Sequence, residues 1–401
     1  MSAPLAGLRI VEVSAFVAAP LAGMTLAQLG AEVIRIDPLG GNIDYRRWPL
    51  AANGNSIYWA SLNKGKQSVT LALDTPDGQA LARKIICDAG IVVTNLPAKG
   101  WMSYEALSQH RKDLIMLRLV GNHDGSAAVD YTLNCASGFP IATGPNREPV
   151  NHVLPAWDVT AGLYLAMGVM AAERTRRLEG RGQEVVLALS DVMLATVANL
   201  GYVADVQLNG VSREPIGNHL YGAFGRNFAT ADGREVMLVA ISDRQWKAIG
   251  KATGLTQRLD MIGPLMEVDM ATEGGRFTAR HAIAAVIEPW FARQTLAEVK
   301  QALTGKGVLW GIYQDFRQLV AEDERCSTAN PLFTLVDQAG LGKVLSARAP
   351  LAFSVDTVPP AQPAPLLGQD TARVLQASAG LSAADVDRLR ERGILDRVVA
   401  A

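Results

Sequence analysis

Asp158 is the residue whose position most suggests chemistry, because it directly precedes the apolar stretch Val159–Met170. That stretch predicts a helix, and Asp is among the commonest N-cap residues. From position alone, helix capping is the favoured interpretation of Asp158, and a reacting carboxylate is the alternative. The rest of the chain offers no further catalytic motif. It contains no GxSxG nucleophile elbow and neither of the glycine-rich phosphate-binding motifs, GxGxxG and the P-loop.

The cysteines and histidines form no pattern typical of a metal site. The three cysteines are far apart with no CxxC pair, and the five histidines form no HxxxH or HExxH spacing. We therefore expect no bound metal, and free thiols as in a reducing compartment. Residue types and spacing alone thus lead to no specific reaction.

The composition is that of a globular protein without a general attraction to polyanions. Hydrophobic residues make up 49% of the chain, and 38 basic residues against 39 acidic ones give a net charge of −1. This balance argues against nucleic acid or an anionic membrane as a partner. The N-terminus lacks a basic region followed by an apolar run, and no uninterrupted apolar stretch approaches ~18 residues, so we expect a cytoplasmic protein without membrane spans.

Short apolar strands alternate with helices along the first half of the 401-residue chain. The predicted strands are Leu8–Val13, Glu32–Ile36, Gln67–Leu73, Ile91–Thr94, Leu114–Val120 and Glu184–Ala188. The predicted helices are Ala19–Leu29, Gly78–Asp88, Val159–Arg177 and Val192–Leu208. Repeated alternation of this kind predicts an α/β fold with a doubly wound parallel sheet.

Two segments interrupt this alternation and suggest more than one domain. Residues Arg213–Asn227 contain glycine and asparagine and show little periodicity, and Val358–Pro365 is rich in proline. A strand at Glu235–Ile241 and a helix at Asp243–Thr253 are predicted after the first segment. Two short helices, Thr371–Ala379 and Ala383–Arg392, are predicted after the second.

The opening stretch PLAGLRIVEVSAFVAAPLAGMTLAQLGAEVIRIDPLGG strongly resembles the start of class III CoA-transferases, the CaiB/BaiF family. Later stretches keep the order and spacing of that family, among them LNKGKQSVTLALDTPDG, VVTNLPAKG, DYTLNCASG, LPAWDVTAGLYLAMGVMAAE and GRGQEVVLALSD. The resemblance covers essentially the whole chain. It implies a Rossmann-like large domain from residues 1–210, a smaller α+β domain at 225–325, and a linker and return to the large domain at 330–401. It also implies ring-shaped protomers interlocked in a homodimer.

The same resemblance implies that Asp158, the aspartate after LPAW, is a nucleophile toward an acyl-CoA thioester and passes through an aspartyl-CoA thioester. A helix N-terminus stabilises an ionised carboxylate, so capping and catalysis are compatible there. The dipole is expected to keep Asp158 ionised at neutral pH, as nucleophilic attack requires. No metal or tightly bound cofactor is implied, and CoA enters as part of the substrate.

The resemblance to the family also implies which residues of this chain contact CoA. Residues matching the CoA channel of the family are Phe16, Val17, Ala18, Leu71, Asn95 and Leu96. Related enzymes can carry a basic residue where Pro38 and Asp74 stand here, so other cations must meet the CoA phosphates. The candidates are Arg35, Lys66 and Lys99, with ordinary surface charge as the rival interpretation.

A second group of residues is expected near the reacting carboxylates. Tyr58 and Tyr131 match family tyrosines, although a buried tyrosine is more often a core residue. Arg46 and Arg47 are candidates to clamp a substrate carboxylate, with a solvated loop as the rival. His152 precedes Asp158 by six residues and is assigned either to the substrate or to a structural hydrogen bond.

Within the family, the stretches VNHVLPAWD, YGAFGR and DYRRWP resemble members that move CoA between the two carboxyl groups of mesaconate. Such an enzyme needs no external acceptor, because the released dicarboxylate stays bound and presents its other end. An intermolecular transferase between succinyl-CoA and a small dicarboxylate is the second interpretation, and a catalytically silent acyl-CoA-binding protein is the third. A racemase is disfavoured, because Val129 stands where racemases of the family carry a histidine.

Overall fold

In a computed structural model that describes residues 2–396, the chain forms eleven strands and eighteen α-helices. The strands are β1 (Arg9–Val13), β2 (Glu32–Pro38), β3 (Gln67–Leu71), β4 (Ile91–Thr94), β5 (Ile115–Val120), β6 (Gln183–Ala188), β7 (Phe224–Ala229), β8 (Glu235–Ala240), β9 (Leu309–Ile312), β10 (Phe333–Gln338) and β11 (Gly342–Ala347).

The helices of the N-terminal half are α1 (Ala18–Gln28), α2 (Ile57–Leu62), α3 (Pro76–Ala89), α4 (Tyr104–Ser108), α5 (Asp130–Ala136), α6 (Phe139–Thr143), α7 (Ala156–Glu179), α8 (Leu189–Asn199) and α9 (Tyr202–Asn209). Those of the C-terminal half are α10 (Asp243–Thr253), α11 (Thr256–Asp260), α12 (Ile262–Met266), α13 (Glu273–Thr278), α14 (Arg280–Phe291), α15 (Leu296–Leu303), α16 (Phe316–Glu322), α17 (Thr371–Ala379) and α18 (Ala383–Glu391).

The chain divides into two compact units. The first unit comprises Met1–Ser137, Val153–Leu208 and Glu324–Ala401, and the second comprises Gly138–His152 and Asn209–Asp323. The short segment Gly138–His152 therefore belongs with the second unit, which nothing in its sequence had indicated.

The first unit is built on a six-stranded parallel sheet in the order β3-β2-β1-β4-β5-β6. The strands are near-continuous apolar runs because helices cover both faces of such a sheet. Val11, Ile34, Val92 and Met116 are completely buried in its core. The predicted α/β fold with a doubly wound sheet is confirmed. Its strand order reverses between β1 and β4, and ligands bind at such a switch point, beyond the carboxyl ends of the strands.

The free edge of this sheet, at β3, is covered by the C-terminal segment of the chain. The Ser68 amide donates to Asp370 Oδ2 at 2.9 Å, and the Thr70 amide donates to Thr371 Oγ1 at 3.0 Å. Beyond the end of β3, the amide of Ala72 donates to the Ile394 carbonyl at 2.9 Å. These bonds satisfy edge amides that would otherwise be open to pairing with another strand.

The second unit has its own core around the antiparallel sheet β7-β8-β9. Phe228 on β7 stacks on Phe291 of α14 with ring centroids 4.9 Å apart, and Phe224 packs against Trp246 of α10. β7 begins inside the segment that sequence patterning assigned to a domain boundary, because its sequence FGRNFA lacks the regular apolar–polar alternation that predicts a strand.

One predicted helix is in fact two. Residues expected to form a single helix at Val192–Leu208 form α8 and α9, and the break falls at Gly201, whose φ is +85°. No single helix among residues 2–396 is long and apolar enough to span a membrane, and the bent pair α8–α9 meets that criterion only by length and composition.

Candidate active site

The side chain of Asn95 joins the loops after β1 and β4 at the switch point through two hydrogen bonds. Its Oδ1 accepts the Ala15 amide at 2.9 Å, and its Nδ2 donates to the Ala15 carbonyl at 2.7 Å. The next residue, Phe16, has a φ of +67°, a strained conformation for a non-glycine residue. The Phe16 side chain is 39% exposed, two residues before the start of α1.

Asp158 lies in the first turn of α7, two residues after its first residue, Ala156. The N-cap position belongs to Pro155, which has no capping side chain. The capping role that position alone favoured for Asp158 is therefore wrong. Its half-buried carboxylate is free of that task and stays available for chemistry.

The capping group is supplied by Asp130, the first residue of α5. Its Oδ2 accepts the backbone amides of Trp157 at 2.7 Å and Asp158 at 3.1 Å. Asp130 is 2% exposed, and its Oδ1 has no hydrogen-bond partner among the described residues. Sequence reasoning missed this residue, since no local spacing connects an aspartate to a helix that begins more than twenty residues later.

Helix α7 is held against α1 by a close approach at Gly162. A Cβ atom at this position would lie 2.8 Å from the Ala18 carbonyl oxygen, so only glycine allows the two backbones to meet. This contact lies one helical turn beyond Asp158. It therefore fixes the carboxylate relative to the loop that carries Phe16.

The electrostatic surroundings of Asp158 are mixed. The pKa of its carboxyl is raised from the ordinary 3.8 to about 6, chiefly by burial and also by the charge of Asp130, while the charge of Arg47 acts to lower it. At pH 7 a carboxyl with this pKa is about nine-tenths ionised. The helix N-terminus is expected to favour the ionised form, whereas burial acts against it, and the carboxylate is more basic than an ordinary one.

Arg47 provides the cation of the site. Its Cζ lies 5.3 Å from the ring centroid of Phe16 and 5.3 Å from that of Tyr58, so two aromatic rings hold the guanidinium. Its influence on the pKa of Asp158 places it in the electrostatic neighbourhood of that carboxylate.

Tyr58 is a neutral hydrogen-bond donor in this neighbourhood. The pKa of its hydroxyl is raised to about 12, chiefly by burial and also by Asp44, Asp158 and Tyr131, while Arg47 acts to lower it. The buried hydroxyl has no partner among the described residues. Tyr131, which follows the capping residue Asp130, is 47% exposed. Arg47 and Tyr58 therefore lie in the electrostatic neighbourhood of Asp158, and Tyr131 lies in that of Tyr58.

Arg35 lies beneath these residues in what we call the buried ion network: Glu12, Arg35, Asp37, Asp44 and Lys66. Its Nε donates to Asp37 at 2.8 Å, and its Nη2 donates to Asp44 at 3.0 Å. Asp44 belongs to the 3-10 turn Ile43–Arg46 that immediately precedes Arg47. The network thus anchors the segment that carries the cation of the site.

Lys66 is the second cation of the buried ion network. Its Nζ lies 2.7 Å from Glu12 Oε2 and donates to Asn63 Oδ1 and the Pro20 carbonyl, each at 2.8 Å. Burial lowers the pKa of its amine to about 8, against the opposing charge of Glu12. Arg35 is completely buried and Lys66 is 5% exposed, so the predicted contact of these cations with CoA phosphates does not fit their position.

The other predicted residues are dispersed. Leu71 is completely buried in the core, which excludes direct contact with CoA, and Ala18 is 1% exposed. Val17 and Leu96 are partly buried in the loops at the switch point, and Lys99 is exposed beyond β4. Arg46 lines a separate cavity of the first unit, and His152 is an exposed residue of the second unit. Within residues 2–396 no group of three or more His, Cys, Asp or Glu side chains is arranged to hold a metal ion.

Comparison with known proteins adds to this geometry. The model of CoA-transferase family III matches residues 5–371. The chain is 52% identical over 402 residues to the 2-methylfumaryl-CoA isomerase of Chloroflexus aurantiacus, covering 98% of each chain. It is 25% identical over 406 residues to the succinyl-CoA–D-citramalate CoA-transferase of the same organism, again covering 98% of each. Its fold resembles the crystal structure of a CaiB/BaiF family protein from Brucella suis, with a TM-score of 0.79 and 24% identity over 94% of this chain and 100% of that one.

Proposed function

The chain belongs to CoA-transferase family III, and from this premise we propose that it converts 2-methylfumaryl-CoA to 3-methylfumaryl-CoA through a thioester on Asp158. The observation that carries the choice of reaction is the 52% identity, across 98% of both chains, to an enzyme of that name. The half-buried Asp158 carboxylate, with Arg47 and Tyr58 near it, supplies the chemistry.

The proposed reaction needs only acyl transfers. An Asp158 oxygen attacks the thioester carbonyl, the carbon–sulfur bond breaks, and a mixed anhydride and CoA thiolate form. The thiolate attacks the aspartyl carbonyl of the anhydride, giving aspartyl-CoA and free mesaconate. The other carboxylate of mesaconate then attacks aspartyl-CoA, and the released thiolate attacks the new anhydride at the substrate carbonyl. Asp158 is regenerated, and no net proton is taken up.

The neighbours of Asp158 suit the charges that these steps create. Each acyl transfer passes through an oxyanion, which a fixed cation or a neutral donor stabilises. Arg47 carries the positive charge, and Tyr58 keeps its proton because its pKa is about 12. A partly desolvated carboxylate such as that of Asp158 is also the stronger nucleophile.

Intramolecular transfer is favoured whenever the released acid remains in place. A bound dicarboxylate presents its second carboxylate at an effective concentration that no free acid reaches. The alternative is transfer from succinyl-CoA to a separate dicarboxylate, and the 25% identity to a succinyl-CoA-dependent relative supports it. A silent acyl-CoA-binding protein would have no use for the raised pKa of Asp158.

The decisive experiment supplies the purified protein with 2-methylfumaryl-CoA and no free acid, and follows the CoA esters by chromatography. We expect the 3-methylfumaryl isomer to accumulate. In a parallel incubation with labelled free mesaconate, we expect no label to enter the CoA esters. The Asp158→Asn variant is expected to be inactive and to form no CoA adduct by mass spectrometry. Conversion that begins only after succinate or another acid is added would establish the intermolecular reaction instead.

A further inference from the structure

A cavity of about 170 Å³ lies within the first unit, apart from the residues that surround Asp158. Its walls come from the segment 45–60, from the turn between β10 and β11, and from the chain just before α17. The residues that define its chemistry are Tyr45, Arg46, Trp59, Gln338, Leu341 and Leu366.

The cavity carries an uncompensated positive charge. Arg46 is the only charged side chain among the described residues that line it. No carboxylate or other hydrogen-bond acceptor within residues 2–396 pairs with its guanidinium. An exposed arginine beside a cavity free of acidic groups attracts an anion, and the planar guanidinium matches a carboxylate in particular.

One residue of the cavity wall carries a buried donor that lacks an acceptor. Trp59 is 4% exposed, and its indole Nε1 has no hydrogen-bond partner among the described residues. A buried donor left in this state is unfavourable and is normally satisfied by protein, water or ligand. The amide of Gln338 is already engaged by both backbone polar groups of Ala364, at 3.0 and 2.8 Å, so it does not serve the indole.

The remaining walls suit a short hydrocarbon. Tyr45 and Trp59 meet edge to face with ring centroids 5.2 Å apart, and Leu341 and Leu366 complete the lining. An engineered apolar cavity of roughly 150 Å³ is large enough for benzene, so this one accommodates a small organic acid.

We propose that this cavity is a binding site for a small organic carboxylate, whose oxygens accept from Arg46 and from Trp59 Nε1. The cavity is separate from Asp158, but residues from the same two segments of the chain lie at both places. Arg46 lines the cavity while Arg47 stands near Asp158, and Trp59 lines the cavity while Tyr58 stands near Asp158. A bound acid therefore touches the same two segments that position the cation and the donor of the transferase site.

The test is a calorimetric titration of the full chain with succinate as the probe, in the absence of acyl-CoA and at two temperatures. We expect saturable binding to the unmodified protein. Arg46→Gln should weaken it about tenfold or more, and Trp59→Phe, which keeps the aromatic wall but removes the donor, several-fold. The matched control Arg47→Gln should bind succinate within about twofold of the unmodified protein, since that guanidinium belongs to the other site.

Three results would overturn the proposal: no saturable binding at millimolar succinate at either temperature, unchanged binding in Arg46→Gln, or loss of binding in Arg47→Gln. Circular dichroism and thermal melting of each variant verify that it is folded. Because no CoA ester is present, the outcome does not depend on Asp158 chemistry, so failure here and failure of the proposed reaction are separate results.

Discussion

At the scale of single residues, the site keeps a carboxylate where ionisation is unfavourable. Asp158 is half-buried, close to the negative charge of Asp130, and only Arg47 opposes these effects on its pKa. A carboxylate held in this way lowers the stability of the fold, which fits the role proposed for Asp158 because active sites commonly trade stability for activity.

The first prediction concerns Asp158→Asn. The folded pKa of about 6 lies above the ordinary 3.8, so the native protein loses stability as pH rises through this interval, and the amide variant does not. At pH 7 we expect the variant to be inactive yet about 1–3 kcal/mol more stable. Thermal melting at pH 4 and pH 7 measures the difference, which should shrink to a small fraction at the lower pH and disappear only below pH 3.8. A variant less stable than the parent at pH 7 contradicts this.

The second prediction separates two roles of Asp130. Asp130→Asn keeps an oxygen that accepts the amides of α7 but removes the charge that raises the pKa of Asp158. The acid limb of the pH profile of kcat/KM should therefore move below pH 6. Asp130→Ala also loses the cap and should lower stability by about 1 kcal/mol or more. A residue with only a structural role would leave the acid limb unmoved in the Asn variant.

Of these two aspartates, only Asp158 could be predicted from the sequence. Asp158 is recognisable in the sequence because it follows the stretch LPAW. Asp130 is not, because it accepts backbone amides of Trp157 and Asp158, which only the folded chain brings near it. The cations Arg35 and Lys66 were visible as charges, but their burial was not. Their partners come from separate elements, and only the assembled sheet shows that the charges are already paired.

At the scale of elements, the position of α7 against α1 decides where the Asp158 carboxylate lies. Gly162 permits the close approach, and the adjoining loop after β1 carries Phe16. The strands of the sheet were predictable because buried parallel strands are apolar runs bounded by glycine and polar residues. The break between α8 and α9 was missed because an isolated glycine inside an apolar pattern is compatible with a continuous helix.

The third prediction tests the helix contact. Gly162→Ala places a Cβ 2.8 Å from the Ala18 carbonyl, so the helices must separate, which should cost about 1–3 kcal/mol and lower kcat. The matched control is Gly168→Ala in the same helix, where the nearest atom is the flexible end of Leu117 at 2.9 Å. The control should equal the parent or gain up to about 1 kcal/mol from helix propensity. Equal melting temperatures for both variants would refute the contact.

At the scale of the whole molecule, the interlocked homodimer stays a prediction, and the first unit exposes an apolar surface in keeping with it. The exposed apolar side chains of α7, α8 and α9 include Leu163, Met167, Leu194, Val206 and Leu208, each at least 50% exposed. Exposed apolar groups in such number are typical of an interaction surface.

The fourth prediction follows from this surface. Sedimentation should give twice the 42.8 kDa mass of one chain. Met167→Lys combined with Leu194→Lys should shift the protein toward the single-chain mass, because two charges are placed in a dry interface. Val355→Lys, also at an exposed apolar residue but outside these helices, is the control. A parent protein that sediments as one chain at micromolar concentration would exclude the dimer.

The bonds that join β3 to Asp370, Thr371 and Ile394 bear on how the protein is made. Domains begin to fold while the ribosome is still adding residues. The six strands of the central sheet are synthesised by Ala188, long before the segment 370–394 that covers β3. Until residues 370–394 emerge, β3 offers open amides and carbonyls to any passing strand. The sheet edge is therefore covered only late in synthesis, and chains cut short before residue 370 are expected to aggregate rather than to accumulate as partly active enzyme.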